Sequence, residues 1–180
     1  ALTPARPHTA FSVTKSFIGT LAAMLVAEGK LEASAPASHY LPELAASGFG
    51  DATVEQVLDM TTALDFSENY VGGSDSFLSF ARAAGVFQRP AGYAGPSSIM
   101  QLLPTIARKG DHGEAFTYRS PNTEVLGWLI ARVTGKRPEV VLQERIWSRL
   151  GAESDAFIAL DPSGAAVASG GFNCRLRDLA

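Results

Sequence analysis

A serine and a lysine near the start of the chain have the spacing that nucleophilic catalysis requires. Ser12 and Lys15 bound the stretch Ser-Val-Thr-Lys, which opens a long apolar segment. If that segment is helical, the two side chains lie on one face, a turn apart. The lysine amine can then take the proton of the serine hydroxyl and turn a weak nucleophile into a strong one. The start of a helix adds unpaired backbone N–H groups that suit a developing oxyanion.

The same two residues also have a purely structural interpretation. Serine is a common N-cap, and a lysine near a helix end often extends its amine to solvent. The apolar pattern predicts a helix over 12–29, ended by Gly29, and buried on most sides from Phe17 to Val26. Lysine is rarely buried without a reason, which favours chemistry at Lys15. The spacing alone leaves both interpretations open.

A tyrosine further along the chain is a candidate partner for this pair. Tyr118 lies just before a helix predicted over 120–134, with Ser120 at the N-cap and Pro121 at the first helical position. A side chain at a helix entry can point into a cleft, and a nearby lysine ammonium favours the phenolate form of a tyrosine. Tyr118 would then act as a general base. Its alternative is a half-buried aromatic residue with a hydrogen-bonded hydroxyl.

Other kinds of chemistry have weaker support. The Gly-x-Ser-x-Gly motif of α/β-hydrolases is absent. His8, His39 and His112 lack the His-Glu-x-x-His spacing of zinc sites, so no metal is expected. We expect His39 to be a surface or packing residue, and His112, in a polar turn, to be solvated. No glycine-rich phosphate loop precedes a helix, so no nucleotide or other cofactor is expected.

Composition is typical of a globular domain. The 180 residues are 46% hydrophobic and 18% charged, with a net charge of −3. No basic run indicates a nucleic-acid partner, and no apolar stretch reaches the roughly 18 residues of a membrane span. Residues 1–10 lack the apolar core of a signal peptide, which favours a cytoplasmic location. The single cysteine, Cys174, excludes an internal disulfide and is expected to be a small buried residue.

Helical periodicity dominates the rest of the chain. Apolar spacing and capping residues predict further helices over 53–61, 75–84, 97–109 and 138–150. Residues 31–50 are rich in turn signals, and residues 155–172 are predicted to be a strand or an extended loop. The long segment 65–96 is expected to be mainly a loop, and loops of this length are often functional or act as lids.

Several stretches, in order along the chain, resemble serine hydrolases related to class C β-lactamases. The similarity is greatest to the 6-aminohexanoate-dimer hydrolases and their esterase relatives, and it covers nearly the whole chain. The matching stretches include Phe11–Phe17, Tyr40–Leu44, Gln56–Met60, Glu68–Val71 and Phe116–Leu126.

The resemblance implies a β-lactamase/transpeptidase-like α+β fold. Residues 1–180 would supply mainly the helical domain, with sheet-forming strands before and after them, so we expect the chain to be a fragment. The resemblance further implies Ser12 as acylated nucleophile, Lys15 as its proton partner and Tyr118 as general acid and base. It suggests three substrate-binding residues, which are Tyr70, Ser120 and Asn122.

The sequence therefore predicts a serine hydrolase that cleaves a small amide or ester through an acyl-enzyme on Ser12. The alternative is a non-catalytic binding or sensor module that keeps the penicillin-recognising fold, or a truncated and inactive fragment. No metal, cofactor, nucleic-acid partner or membrane span is part of the prediction.

Overall fold

The structure is a computed structural model that describes residue 3 and residues 5–179. The outermost positions of the predicted domain, residues 1, 2, 4 and 180, lie outside the described residues. Seven α-helices and three short strands form within the described part of the chain. The helices are α1 (Val13–Ala27), α2 (Ala37–Tyr40), α3 (Val54–Leu58), α4 (Asp75–Ala83), α5 (Ile99–Leu102), α6 (Ser120–Thr134) and α7 (Pro138–Arg145). The strands are β1 (His8–Thr9), β2 (Phe157–Ile158) and β3 (Phe172–Cys174).

The long helices α1 and α6 form the centre of the core. Ile18, Leu21 and Leu25 of α1 have no exposed surface, and neither do Leu129 and Ile130 of α6. The two helices pack against each other, and α7 packs against both. The apolar face of α1 is buried as predicted, but burial on most sides is not confirmed, because one face of the helix is exposed at Ser16, Thr20, Ala23 and Ala27. Because both helices are held by the core, the residues at their first turns have fixed positions.

A small antiparallel sheet lies beside the helices and joins the two ends of the chain. Its strand order is β1-β3-β2, and His8 pairs with Cys174 while Phe157 pairs with Asn173. Phe172 and Cys174 of the central strand are buried, which confirms the expectation for the cysteine. The sheet places β1 immediately before the first turn of α1. It thereby ties that turn to the loop that precedes β3.

Local signals predicted several elements correctly. Thr53 and Gln56 form a capping box at the start of α3, in which each side chain bonds the other residue's backbone N–H. Ser74 caps α4 by accepting a hydrogen bond from the Phe77 N–H. Gly29 follows α1 with a φ of 69°, a left-handed conformation that glycine adopts without strain. Capping chemistry acts over a few residues, so it could be predicted without tertiary contacts.

The start of α6 differs from the prediction. Arg119, in an extended conformation, occupies the N-cap position, so Ser120 is the first helical residue and Pro121 the second. The Ser120 hydroxyl does not cap its helix, because it bonds Glu68 at 2.5 Å. The predicted end of the helix is confirmed, since Gly135 follows Thr134 with a φ of 67°.

Two predicted helices are shorter in the structure. The helix predicted over 97–109 consists of α5 and a 3₁₀ turn at Leu103–Thr105, after which the backbone becomes extended at Ile106. Pro104, inside that turn, has no N–H to continue a helix. The helix predicted over 138–150 stops at Arg145, because Ile146 leaves the helical conformation, and a 3₁₀ turn at Trp147–Arg149 follows.

Two regions that were expected to be polar turns are held by the core. The segment 31–50 contains α2 and a 3₁₀ helix at Pro42–Leu44, anchored by the fully buried Leu41 and Leu44. The expectation of a solvated His112 is wrong, since its side chain is only 5% exposed. Its Nδ1 accepts a hydrogen bond from the Ala63 N–H at 2.8 Å, and Asp51 lies 3.2 Å from its Nε2.

No helix within the described residues is long and apolar enough to cross a membrane.

Gly127 allows the loop before β3 to approach α6 closely. A Cβ at this position would lie 2.7 Å from the Cβ of Ala168, too close for two methyl groups. Glycine-to-alanine changes inside a helix normally stabilise by about 1 kcal/mol. For Gly127→Ala we expect the opposite, a decrease of about 1–3 kcal/mol in the free energy of unfolding, because the loop must move. Urea denaturation of the intact protein measures this change in the free energy of unfolding.

Gly19 in α1 is the matched control for this substitution. A Cβ at Gly19 would meet no atom within 4 Å. Gly19→Ala should therefore leave stability unchanged or raise it by up to about 1 kcal/mol. Equal stability of the two variants would contradict the close approach of the loop to α6.

Candidate active site

Ser12 stands at the N-terminal end of α1, next to a strained residue. Phe11 has a φ of 45°, a left-handed conformation that is uncommon for a bulky residue. Ser12 is exposed and occupies the N-cap position, but its side chain makes no capping hydrogen bond. The hydroxyl is therefore available for other partners. Strained backbone of this kind is concentrated at functional sites.

The first turn of α1 is fixed to the sheet by Thr14. This residue has no exposed surface, and its hydroxyl donates to the Phe11 carbonyl at 2.6 Å. The same oxygen accepts the N–H of Phe172 in β3 at 3.0 Å. Thr14 thus holds both the turn that presents Ser12 and the strand behind it. No local sequence pattern indicates this role, because it depends on a contact across 158 residues.

Ser12, Lys15 and Tyr118 meet at one point. The Tyr118 hydroxyl donates to Ser12 Oγ at 2.6 Å, and the Lys15 ammonium donates to the same oxygen at 3.2 Å. The Lys15 Nζ also lies 4.9 Å from the centre of the Tyr118 ring. The predicted convergence of the three side chains is confirmed. Their catalytic roles stay predictions at this point.

The first helical turn does not supply the free donors that the sequence suggested. The N–H groups of residues 13, 14 and 15 donate to the carbonyls of residues 10, 11 and 12 at 3.0–3.1 Å. A tight turn at the helix start satisfies these donors. The expectation that they are unpaired is wrong, and the N–H of Ser12 is not among the three that this turn uses.

The Lys15 ammonium has a second acceptor, which is a backbone carbonyl. Lys15 Nζ donates to the backbone oxygen of Ser169 at 2.7 Å. Ser169 lies in the loop before β3 and is buried. The N–H groups of Ala168 and Ser169 in turn donate to the carboxylate of Glu124, at 3.0 and 2.9 Å. Lys15 is therefore fixed between Ser12 and a loop that is itself anchored to α6.

Glu124 was not identified from the sequence. Its side chain is 2% exposed, and burial raises its pKa to about 7, although the two N–H bonds and the Lys15 charge act in the opposite direction. A glutamate next to Val125 and Leu126, on a helix that is otherwise apolar at its centre, is the signal that could have revealed it. Buried carboxylates are uncommon and are hydrogen-bonded or paired where they occur.

Glu68 joins two of the predicted substrate-binding residues. Its carboxylate accepts the N–H of Ser120 at 2.8 Å, the Ser120 hydroxyl, and the Tyr70 hydroxyl at 2.7 Å. Ser120 is 5% exposed, whereas Tyr70 is 58% exposed. Partial burial and the Glu68 carboxylate raise the pKa of the Tyr70 hydroxyl far above its usual range. Tyr70 therefore keeps its proton and can offer contact surface, while Ser120 fixes Glu68.

Asn122 does not reach the surface of the site. It has no exposed surface, and its side-chain oxygen accepts a hydrogen bond from the Thr62 hydroxyl at 2.7 Å. Its Nδ2 donates to the Arg119 carbonyl at 3.3 Å. These bonds hold Asn122 inside the protein, where they connect the start of α6 to residue 62. This placement corrects the predicted substrate contact, because no Asn122 atom faces solvent.

Exposed apolar side chains lie close to Ser12 and Tyr118 in the sequence. Phe11 directly precedes Ser12 and is 73% exposed, and Phe116, two residues before Tyr118, is 68% exposed. Tyr70 contacts Phe77 edge to face, with ring centres 4.9 Å apart.

Within residues 3 and 5–179, no group of three or more His, Cys, Asp or Glu side chains is arranged to hold a metal ion.

Comparison with known proteins assigns the chain to a family. Residues 1–174 match the family model described as Beta-lactamase, and the chain belongs to that family. It is 39% identical over 173 residues to the 6-aminohexanoate-dimer hydrolase of Paenarthrobacter ureafaciens. That match covers 96% of this chain and 43% of the relative, so the chain spans less than half the length of the curated relative.

Solved structures confirm the fold. A structure from Bacillus anthracis that carries the name of a 6-aminohexanoate-dimer hydrolase superposes with a TM-score of 0.91 at 29% identity, covering 98% of this chain and 46% of that one. A D-stereospecific amidohydrolase from Streptomyces sp. superposes with a TM-score of 0.70 at 21% identity, over 96% of this chain and 58% of its own. The resemblance and the β-lactamase/transpeptidase-like fold expected from the sequence are both confirmed.

Proposed function

We propose that this chain carries the nucleophilic centre of a serine hydrolase that cleaves a small amide or ester through an acyl-enzyme on Ser12. The observation that supports it most directly is the meeting of Lys15 Nζ and Tyr118 Oη on Ser12 Oγ. The curated relative is named as a hydrolase of the 6-aminohexanoate dimer, and this supports a small acyl substrate. Residues 1–180 would form the helical part of the catalytic domain.

In the acylation step, Ser12 Oγ forms a bond to the carbonyl carbon of the substrate. The hydroxyl proton passes to the Lys15–Tyr118 pair, and the pair delivers a proton to the departing amine or alcohol as its bond to carbon breaks. We assign the N–H of Ser12, which the first turn of α1 does not use, as one backbone donor to the tetrahedral oxyanion. In deacylation, water attacks the ester carbon and loses its proton to the same pair. The bond between that carbon and Ser12 Oγ then breaks, Ser12 Oγ regains a proton, and the carboxylic acid leaves.

The proposed substrate side of the site consists of Tyr70 and the exposed apolar side chains of Phe11 and Phe116. Tyr70 offers an exposed ring and a hydroxyl whose direction is set by Glu68. Phe11 and Phe116 add exposed apolar surface next to Ser12 and Tyr118 in the sequence. This composition favours an acyl or leaving group with apolar carbon atoms. Ser120 contributes indirectly, since its N–H and hydroxyl both hold Glu68.

Covalent labelling of the intact protein tests the proposal. A fluorophosphonate should add to one serine, because it reports on an activated nucleophile. Trypsin cleaves after Lys15, so Ser12 and Ser16 fall in different peptides, and Ser12 is the only serine of residues 1–15. We expect the adduct on the peptide that contains Ser12. Ser16, exposed one turn further along α1, is the internal control.

Two results would contradict a serine hydrolase that uses Ser12. The first is the absence of any adduct, which would favour a binding or sensor module of the same fold. The second is an adduct on another residue, which would assign the nucleophile elsewhere.

A further inference from the structure

A buried carboxylate lies behind the Lys15 ammonium, separated from it by one stretch of backbone. Glu124 projects from α6 and is 2% exposed. Its two oxygens each accept one backbone N–H, from Ala168 at Oε2 and from Ser169 at Oε1. The carbonyl of Ser169 then accepts the Lys15 ammonium at 2.7 Å. The chain of contacts thus runs from α6 through the loop to the amine beside Ser12.

Burying a carboxylate at this position of α6 costs free energy, which indicates that Glu124 has a role beyond packing. The α6 residues that follow Glu124, from Val125 to Ile130, are apolar and mostly buried, and a leucine at position 124 would continue that pattern. A carboxylate at such a position is costly unless its oxygens are hydrogen-bonded. Here both oxygens are used, and both bonds go to the loop that carries the Ser169 carbonyl. Gly127, one turn further along α6, allows that loop to come within contact of the helix.

We propose that Glu124 is a positioning residue, which fixes the backbone of residues 168 and 169 so that the Ser169 carbonyl holds the Lys15 amine against Ser12. This inference rests on the proposed function of Ser12 and Lys15. Glu124 itself touches neither the nucleophile nor a substrate. It acts by keeping one acceptor of the lysine at a fixed point.

The charge state of Glu124 predicts a pH dependence by which the proposal can be tested. Burial raises the pKa of this carboxyl group to about 7, while the Ser169 side chain, the Ser169 and Ala168 N–H groups and the Lys15 ammonium of α1 lower it. Above that pH both oxygens are free to accept an N–H. Below it one oxygen carries a proton and accepts more weakly, so the loop is held less firmly. The contribution of Glu124 should therefore be largest above about pH 7 and decrease below it.

The test compares Glu124→Gln and Glu124→Asp with wild type in the intact protein. Glutamine keeps the shape but presents one N–H₂ group to a backbone N–H, so one bond is lost. Misplacement by about 1 Å can reduce catalysis by about 10²-fold. We expect Glu124→Gln to lower the rate of Ser12 labelling and kcat for a p-nitrophenyl ester by about 10–10²-fold, with KM little changed. Aspartate keeps both oxygens and should recover part of the loss.

The pH profile separates positioning from a general loss of structure. The ratio of wild-type to Glu124→Gln labelling rates should fall as the pH is lowered through about 7. Any pH dependence that the two proteins share is divided out of this ratio. Thr123→Val is the matched control, because Thr123 is the adjacent buried polar residue and its hydroxyl has no hydrogen-bond partner among the described residues. Its labelling rate should equal that of wild type.

Each outcome of this test either supports or overturns the positioning role of Glu124. Glu124→Gln labelling within about threefold of wild type, with a pH-independent ratio, would overturn the proposal while leaving Ser12 as nucleophile. No adduct in wild type would overturn the proposed function and this inference together. If Glu124→Gln does not melt cooperatively, Glu124→Asp decides alone. Slower labelling than wild type supports the proposal, and an equal rate overturns it.

Discussion

Replacing Ser12 by alanine is expected to abolish ester turnover by the intact protein. Loss of a catalytic serine costs on the order of 10⁴–10⁶-fold in kcat, which exceeds any effect on substrate binding. The structure makes this a clean substitution. The Ser12 side chain makes no capping bond to α1, and the residue is exposed, so alanine removes the nucleophile and the acceptor of Lys15 and Tyr118 without removing a helix cap.

Initial rates with a short-chain p-nitrophenyl ester measure the loss. Ser16→Ala is the control, because Ser16 is an exposed serine on the same helix, and it should retain wild-type turnover. Thermal melts of both variants should match that of wild type. Residual activity of Ser12→Ala within about tenfold of wild type would mean that another residue attacks the substrate.

The parts of the fold that could be predicted are those with local causes. The apolar sequence of α1 and the Gly135 stop of α6 depend on residues within a few turns of each other. The capping box of α3 is equally local. The predictions failed where tertiary contacts decided the outcome. Ser120 was expected to cap α6, but its hydroxyl bonds Glu68, which is 52 residues away in the sequence.

The same distinction between local and tertiary causes applies to the residues of the candidate site. Ser12 and Lys15 could be identified because a helical turn places them together, and Tyr118 because it precedes a recognisable helix start. Glu124 and Ser169 could not be connected from the sequence, since a bond across 45 residues joins them. The buried Glu124 was nevertheless visible as a charge within an apolar helix. A charged residue at a predicted core position is therefore a sequence signal of a positioning or functional role.

The geometry of Ser12 depends on three segments that each have their own anchor. Thr14 ties the first turn of α1 to β3. Glu68 holds the N–H and hydroxyl of Ser120, two residues after Tyr118, and so fixes the entry of α6. Glu124 fixes the loop that carries the Ser169 carbonyl. Because each anchor is buried or hydrogen-bonded, the site is preorganised by the helical part of the fold.

Replacing Tyr118 by phenylalanine is the second change with a large expected effect. The substitution removes the hydroxyl that donates to Ser12 Oγ at 2.6 Å and keeps the ring that lies 4.9 Å from the Lys15 amine. A positioned acid or base contributes about 10²–10⁴-fold, so kcat should fall by that factor while KM changes little. Tyr93→Phe is the control, because the Tyr93 hydroxyl has no hydrogen-bond partner within the described residues.

The choice of leaving group shows which proton transfer Tyr118 performs. A p-nitrophenolate leaves without being protonated, whereas an amine must receive a proton as its bond to carbon breaks. If Tyr118 delivers that proton, Tyr118→Phe should lose more activity toward an amide than toward the p-nitrophenyl ester with the same acyl group. An equal loss with both substrates would assign Tyr118 to activation of Ser12. Wild-type rates with both would exclude Tyr118 from catalysis and leave Lys15 as the sole partner of Ser12.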